Sequence, residues 1–353
     1  MTAVSDFYPR RLVRDYGDVE GEIVACRSSV ALFDFSFMSL AQVSGHDALK
    51  VIARITERRL DDMASGRIRY ALSCGPNDWL RSDLTIWNKE GGRYIVMSGH
   101  PDDVADLVDQ GRTTGKDCSV EDLSDAIAVL SMQGPDALHA LDGLVDGERL
   151  RALSYFGFAA FDIDGVPCLI GRLGYTGERG FEIIIPVEHC AKLWEQLAQR
   201  ARPAGFAAAD CLRIEAGFVL FANEFRLPVT ARDAGLEPFG GNDGAPSRFR
   251  LICFRAETKE PPILWRPPQD VVAPDSGSIA ITSACHSILA RGTIGLGYVP
   301  VTGTEPSGPF SDPSGQFRDV HEVSKPFYDR FKQRPRGDWN LGCVSKTSAA
   351  TIF

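Results

Sequence analysis

The sequence has no pair of cysteines in a C-x-x-C arrangement, although nine cysteines are scattered between positions 26 and 343. A zinc cluster or a disulfide framework needs closely and regularly spaced cysteines, so this scatter supports neither. The adjacent pair His189–Cys190 has poor chelate spacing for a metal. We therefore expect free thiols, a reducing cytoplasmic setting and no metal site.

The sequence also has no apolar run near the ~18 residues of a membrane-spanning helix. No charged-then-apolar pattern opens it, so we expect no signal peptide. The formal net charge of −9 argues against nucleic acid as the main partner, because phosphate binding needs a basic face. The 353 residues, 44% hydrophobic and 24% charged, are typical of a soluble globular protein with two or three domains.

The most informative stretch that is present runs from Arg172 to Ile183 and reads RLGYTGERGFEI. Its three glycines predict a turn-rich crossing, and their spacing differs from the G-x-G-x-x-G dinucleotide fingerprint. Glu182 then stands inside an apolar strand pattern, where a carboxylate needs a donor opposite it. A planar ligand with two adjacent N–H groups would satisfy Glu182, and so would an arginine. By spacing alone, the stretch is a hairpin connection with Glu182 paired to an Arg or solvated.

The first part of the chain contains an internal echo. Residues 43–49 (VSGHDAL) and 132–138 (MQGPDAL) both read as a strand end, a glycine and an Asp-Ala-Leu that opens a helix. We interpret the echo as two related α+β halves. Hydrophobic periodicity predicts strands at 69–73, 83–87, 93–98, 126–132 and 158–163, and helices at 187–201 and 207–217.

The pattern changes after about residue 236. Residues 238–247 are rich in Gly, Pro, Asp and Asn, as in a linker or long loop. Beyond them come short strands at 250–254, 278–282 and 293–299, which favour a small β-barrel or sandwich. We therefore expect an α+β fold with three parts: two lobes in 1–245, a β-barrel in 246–335 and a tail in 336–353.

Seven segments, in order, resemble the glycine-cleavage T-protein family of folate-dependent aminomethyltransferases. They lie between about residues 20 and 330 and read RSSVALFDFSFM (27–38), MQGP (132–135), GYTGE (174–178), LRIEAG (212–217), AGL (234–236), ITS (281–283) and GYVP (297–300). The resemblance implies a three-lobed arrangement around a central tetrahydrofolate site. It also implies transfer of an aminomethyl group to tetrahydrofolate, which gives methylene-tetrahydrofolate and ammonia.

The same resemblance implies the site residues. Asp83 in Ser82-Asp83-Leu84 falls on the family's catalytic carboxylate, about a dozen residues after a tyrosine. Glu182 would anchor the pterin by accepting hydrogen bonds from its 2-amino group and ring N–H. The further positions expected to bind folate are Met38, Tyr70, Met97, Tyr155, Tyr175 and Phe218.

The sequence departs from the family pattern at several of these places. Ser82 replaces the first Asp of the Asp-Asp-Leu segment. Met97 stands where many members carry an asparagine, so a side-chain amide is lost. Ala209 replaces the arginine of an Ala-Arg-Asp segment, which removes one cation near the folate.

Two alternatives to aminomethyl transfer stay open at this level. Residues 66–70 and 82–85 (GRIRY and SDLT) look like the folate domain of sarcosine and dimethylglycine dehydrogenases. That branch implies a demethylase acting on an N-, O- or S-methyl donor, or a chain that works with a separate flavoprotein subunit. The losses at Met97 and Ala209 allow a folate-binding subunit without catalysis. The expected partners are folate, a one-carbon donor, and a lipoyl carrier protein or flavoprotein; we expect no nucleic acid or membrane partner.

Overall fold

A computed structural model describes residues 2–4, 12–114, 116–241, 246–263, 265–302, 309–324, 326–337 and 339. Within these ranges no helix has the length and apolar character needed to cross a membrane. The strands are β1 (Thr2–Val4), β2 (Leu12–Asp15), β3 (Ala31–Asp34), β4 (Ser39–Ser44), β5 (Arg67–Cys74), β6 (Leu80–Lys89), β7 (Arg93–Ser98), β8 (Ser119–Asp122), β9 (Ile127–Gln133), β10 (Phe158–Ile163), β11 (Val166–Gly171), β12 (Gly180–Pro186), β13 (Arg202–Ala204), β14 (Phe249–Thr258), β15 (Ala280–Ser287), β16 (Gly292–Pro300) and β17 (Phe317–Val323). The α-helices are α1 (Val19–Ser28), α2 (Ala48–Ile52), α3 (Pro101–Thr114), α4 (Ala137–Ala140), α5 (Gly147–Arg151), α6 (Cys190–Ala198), α7 (Phe206–Glu215), α8 (Phe221–Glu224), α9 (Ala231–Ala234) and α10 (Gln333–Arg336).

These elements form a mixed α+β fold with several sheets, as the sequence predicts. A five-stranded sheet has the order β5-β6-β7-β4-β8, and a six-stranded sheet has the order β10-β11-β12-β9-β3-β13. The C-terminal strands form a four-stranded antiparallel sheet, β15-β16-β14-β17, while β1 and β2 pair separately. Each strand predicted from periodicity overlaps one of these strands.

The two larger sheets pack against each other through their inner faces. On β6, Trp87 contacts the backbone of Gly171 on β11: a Cβ at Gly171 would lie 2.4 Å from the indole ring. Side chains alternate between the two faces of a strand. Ile184 therefore packs into the core between the two sheets, while Ile183 and Ile185 pack into a second core on the outer face of the six-stranded sheet. Helices α4–α6 contribute to the outer core of the six-stranded sheet, and α2 and α3 to that of the five-stranded sheet.

The internal echo has the same backbone geometry at both places. The chain leaves β4 at Gly45 (φ +117°) and leaves β9 at Gly134 (φ +142°), and it then begins α2 and α4. A side chain at either glycine would collide with a main-chain oxygen, at 2.5 Å and 2.2 Å respectively. Asp47 and Asp136 stand at the N-caps with nearly equal dihedral angles, (−92°, 7°) and (−96°, 8°).

The C-terminal sheet is attached to the first part through buried polar contacts. The Arg213 guanidinium on α7 lies 2.5 Å from the Ser283 hydroxyl on β15 and pairs with Glu224 on α8 at 2.9 Å. A 3₁₀ turn, Glu237–Phe239, overlaps the start of the segment predicted as a linker (238–247), and residues 242–245 lie outside the described part. Of the expected tail 336–353, only 336, 337 and 339 are described, and the Trp339 ring stacks on Phe181 with centroids 5.0 Å apart.

Candidate active site

A cavity of about 450 Å³ collects residues from both large sheets, from α7 and α8, and from the C-terminal segment. All eight residues that the sequence points to as site residues line this one cavity. They are Met38, Tyr70, Asp83, Met97, Tyr155, Tyr175, Glu182 and Phe218. Its volume and its largely apolar lining are typical of a small-molecule site.

Strand register explains one wall of the cavity. Tyr70 on β5 is opposite Thr85 on β6, Thr85 is opposite Met97 on β7, and Met97 is opposite Leu40 on β4. These residues form a row across one face of the five-stranded sheet. Asp83 precedes Thr85 by two positions, so its side chain points to the same face. The row therefore places one carboxylate beside an aromatic and an apolar surface.

The Asp83 carboxyl has an unusual electrostatic environment. Burial raises its pKa from 3.8 to about 6, and the negative charges of Asp103 and Glu224 act in the same direction. A hydrogen bond from the Tyr70 hydroxyl opposes this rise. A carboxyl with a pKa near 6 can exchange its proton close to neutral pH, which suits catalytic work.

Glu182 lies on the wall that the six-stranded sheet forms. Its strand neighbours are Gly171 on β11 and Ser131 on β9, and it is only 6% exposed. Burial raises the pKa of its carboxyl from 4.5 to about 7. Among the described residues, none gives it a hydrogen bond or an ion pair, so the arginine partner that the sequence allowed is not found there. Its carboxylate is therefore available to a ligand with N–H donors.

Close packing requires the glycines of the 172–183 run, two of them because they approach Gln133. A Cβ at Gly174 would lie 1.9 Å from the Gln133 amide oxygen, and a Cβ at Gly180 would lie 2.3 Å from the Met132 carbonyl oxygen. Gly177 has φ +79° and approaches Ala216 on the loop after α7. The Gln133 amide in turn donates to the Leu173 carbonyl at 3.0 Å. The run is thus fixed against β9 next to the cavity.

Glu178, in the middle of the run, belongs to a buried ion-pair cluster rather than to the cavity. It pairs with Arg27 on α1 at 3.2 Å and with Arg334 on α10 at 2.9 Å, and it accepts a hydrogen bond from the Tyr328 hydroxyl. Arg27 also pairs with Glu215 on α7 at 2.7 Å. This cluster joins the run to both α1 and the C-terminal segment.

A third wall comes from the loop after α7 and from the C-terminal segment. The Tyr175 hydroxyl donates to the Val219 carbonyl at 2.5 Å, and the Tyr175 and Phe218 rings are stacked at 6.2 Å. The Lys332 ammonium lies 4.2 Å from the Phe218 centroid, and Arg336 also lines the cavity. Sequence reasoning missed both cations, since Lys332 falls in the predicted β-barrel 246–335 and Arg336 in the predicted polar tail 336–353.

The structure also locates the departures from the family pattern. Met97 is fully buried in the row described above and contacts the cavity. Ala209 lies on α7, is fully buried in the hydrophobic core and does not line the cavity. Ser82 is buried on the opposite face of β6, where its hydroxyl donates to Asp103 at 2.5 Å. Of the three, only Met97 alters the cavity surface directly.

Comparison with known proteins gives a consistent result. Residues 3–240 match the family model described as the GCVT N-terminal domain. The chain is 31% identical over 355 residues to an aminomethyltransferase of Streptomyces coelicolor, covering 93% of this chain and 94% of that protein. It is 32% identical over 237 residues to an aminomethyltransferase of Bacillus subtilis, covering 65% of each. The solved glycine cleavage system aminomethyltransferase T of Bartonella henselae superposes with a TM-score of 0.74 and 25% identity, covering 91% of this chain and 92% of that one.

Proposed function

The chain belongs to the GCVT family, and from this membership and its cavity we propose that it transfers an aminomethyl group to tetrahydrofolate, giving methylene-tetrahydrofolate and ammonia. The observation that best supports the proposal is that two carboxyl groups in different surroundings, Asp83 and Glu182, line one largely apolar cavity. One carboxylate would bind the acceptor and the other would act on the transferred group.

The cavity residues fit a reduced folate. The pterin carries adjacent N–H donors, and Glu182 is a buried carboxylate without a described partner that could accept from them. Stacked Tyr175 and Phe218 offer an apolar, planar surface for an aromatic ligand. The lost amide at Met97 leaves an apolar contact at that place.

In this proposal tetrahydrofolate supplies the nucleophilic amine that accepts the one-carbon unit. Glu182 fixes the ring orientation, and the aromatic walls exclude water. Asp83 orients the donor and stabilises positive charge that develops at nitrogen. Holding the two reactants in contact can contribute about 7–11 kcal/mol to the rate enhancement.

Several wider features belong to the same proposal. The proposed architecture is a three-lobed arrangement, with two related α+β lobes in 1–245 and a C-terminal β-barrel in 246–335. A lipoyl carrier protein is the proposed source of the aminomethyl group, with a flavoprotein subunit as the alternative partner. A cytoplasmic setting is supported by the cysteines, because none of the eight that the structure describes forms a disulfide.

The test is a donor screen with purified protein and tetrahydrofolate. An aminomethylated lipoyl carrier protein should release ammonia and form methylene-tetrahydrofolate, and the Asp83→Asn variant should lose most of this activity. Methyl-tetrahydrofolate formed from an N-, O- or S-methyl donor, without ammonia release from the lipoyl donor, would replace the proposal with a demethylase. Folate binding without turnover of any donor would indicate a non-catalytic folate-binding subunit.

A further inference from the structure

Ser82 and Asp83 are neighbours in β6 and point to opposite faces of the five-stranded sheet. Asp83 lines the cavity, whereas Ser82 is fully buried on the other side, against the first turn of α3. There it meets Asp103, which is also fully buried. A buried carboxylate persists only when its oxygens are well satisfied, so its partners are informative.

Asp103 receives three short contacts from residues around Asp83. Its oxygens lie 2.5 Å from the Ser82 hydroxyl, 2.6 Å from the Ser98 hydroxyl and 2.6 Å from the Arg81 guanidinium. Arg81 and Ser82 immediately precede Asp83 in β6. Ser98 ends β7, and its hydroxyl lies 3.5 Å from the Asp83 carbonyl oxygen. One side chain on α3 thus holds β6 and the end of β7 together at the position of Asp83.

We propose that Asp103 is a positioning residue for the one-carbon transfer, which fixes Asp83 in the cavity from behind the sheet through Ser82. The inference rests on the proposed function. Asp103 does not line the cavity, so it acts through β6 rather than on the substrate. Ser82 suits this arrangement, because a hydroxyl can donate to Asp103 and an ionised carboxylate at position 82 could not.

Asp103 also acts on Asp83 electrostatically. The groups that act on the Asp83 carboxyl are the Tyr70 hydroxyl from β5 and the Glu224 carboxylate from α8, together with the Asp103 carboxylate from α3 behind the sheet. Tyr175 on the adjacent wall interacts with it as well. Glu224 is paired with Arg213, and Asp103 with Arg81. The charge of Asp103 contributes to the raised pKa of Asp83, so removing that charge should lower this pKa.

The experiment compares Asp103→Asn with Asp109→Asn, a control on the same helix with a side chain that is 72% exposed. In Asp103→Asn, kcat should fall about 10-fold while KM for tetrahydrofolate changes little, because Asp83 is less well held. The acid limb of the pH profile of kcat, where Asp83 takes up its proton, should move to lower pH. Asp109→Asn should match the wild type in all three readouts.

Two results would overturn the inference. One is an Asp103→Asn enzyme with unchanged kcat. The other is an Asp103→Asn enzyme in which kcat and thermal stability both fall while the acid limb of the pH profile stays in place. If Asp103→Asn does not fold, Ser82→Ala decides instead. It should lower kcat about three- to 10-fold at constant KM, and an unchanged kcat would reject the proposal. A wild type without turnover would reject the proposed function separately. In that case, the titration of the Asp83 carboxyl can be followed by ¹³C NMR, and its midpoint should lie at lower pH in Asp103→Asn than in the wild type. An unchanged midpoint would show that the positioning role is also wrong.

Discussion

The Tyr70 hydroxyl donates a hydrogen bond to the Asp83 carboxylate, from β5 to β6, on the face of the sheet that lines the cavity. This bond stabilises the ionised carboxylate and so lowers the pKa of Asp83, against burial and two neighbouring carboxylates that raise it. Tyr70 is itself held by an edge contact with Phe239 at 5.1 Å. The bond therefore extends the pH range in which Asp83 is charged to lower pH.

Replacing Tyr70 with phenylalanine should raise the pKa of Asp83 above about 6. The working enzyme needs the ionised carboxylate, so its rate is lost as pH falls through this pKa. In Tyr70→Phe the acid limb of kcat should therefore move to higher pH, opposite in sign to the shift expected for Asp103→Asn. A pH profile of kcat checks the change, and a Tyr70→Phe limb that stays in place or moves to lower pH would refute it.

Asp83→Asn should remove most turnover while leaving folate affinity within a few-fold. Loss of one preorganised electrostatic group commonly costs about 10²- to 10³-fold in kcat. Asparagine keeps nearly the same shape, so the row of Tyr70, Thr85 and Met97 should stay intact. Single-turnover rates and tetrahydrofolate titrations on the same preparation measure the two quantities. A variant that turns over near the wild-type rate would show that Asp83 is not the catalytic carboxyl.

Glu182→Gln should stabilise the ligand-free protein at alkaline pH. The pKa of Glu182 is raised from 4.5 to about 7, so the unfolded chain loses this proton more readily than the native protein. Native stability therefore falls as pH rises from about 4.5 to about 7, by at most about 3 kcal/mol. Glutamine cannot ionise and escapes this loss. Thermal unfolding at pH 8 and at pH 5 should show a higher Tm for the variant mainly at pH 8; an equal difference at both pH values would contradict the burial of this charge.

Gly174→Ala should destabilise the protein and weaken folate binding together. Its Cβ would lie 1.9 Å from the Gln133 amide oxygen, so either Gln133 or the 172–183 run must move. Overpacking of this kind costs about 1–3 kcal/mol. Gly292→Ala is the matched control, because no atom lies within 4 Å of its Cβ and its φ is not in the left-handed region. Denaturant unfolding and folate titration of both variants test the prediction, which fails if the two variants behave alike.

Much of the fold was accessible from the sequence, because strand and turn patterns are local. The predicted strands at 93–98 and 158–163 coincide with β7 and β10, and the repeated Gly-x-Asp-Ala-Leu pattern gave the same turn twice. Helix α3 was missed, although its first turn carries Asp102 and Asp103, because its apolar residues form only a short stripe. The role of Asp103 was therefore not visible in the sequence.

The candidate site, like the fold, could be predicted from the sequence only in part. Family segments located Asp83 and Glu182, but the meeting of Gly171 with Trp87 depends on how two sheets pack, which no local pattern encodes. Lys332 contacts a cavity wall built from residues more than 100 positions earlier. Such long-range contacts arise from topology, so the two C-terminal cations could not be assigned to the site in advance.

The most direct test of the account is a tetrahydrofolate titration at pH 8, followed by fluorescence, with wild type, Glu182→Gln and Glu188→Gln. Glu188 is exposed just after β12, so its variant makes the same chemical change outside the cavity. The account predicts saturable binding to wild type and Glu188→Gln, and affinity at least about 10-fold weaker for Glu182→Gln, as expected when a charged acceptor of two hydrogen bonds is lost. Absence of binding to the wild type at high micromolar protein, or equal affinity in all three proteins, would contradict it.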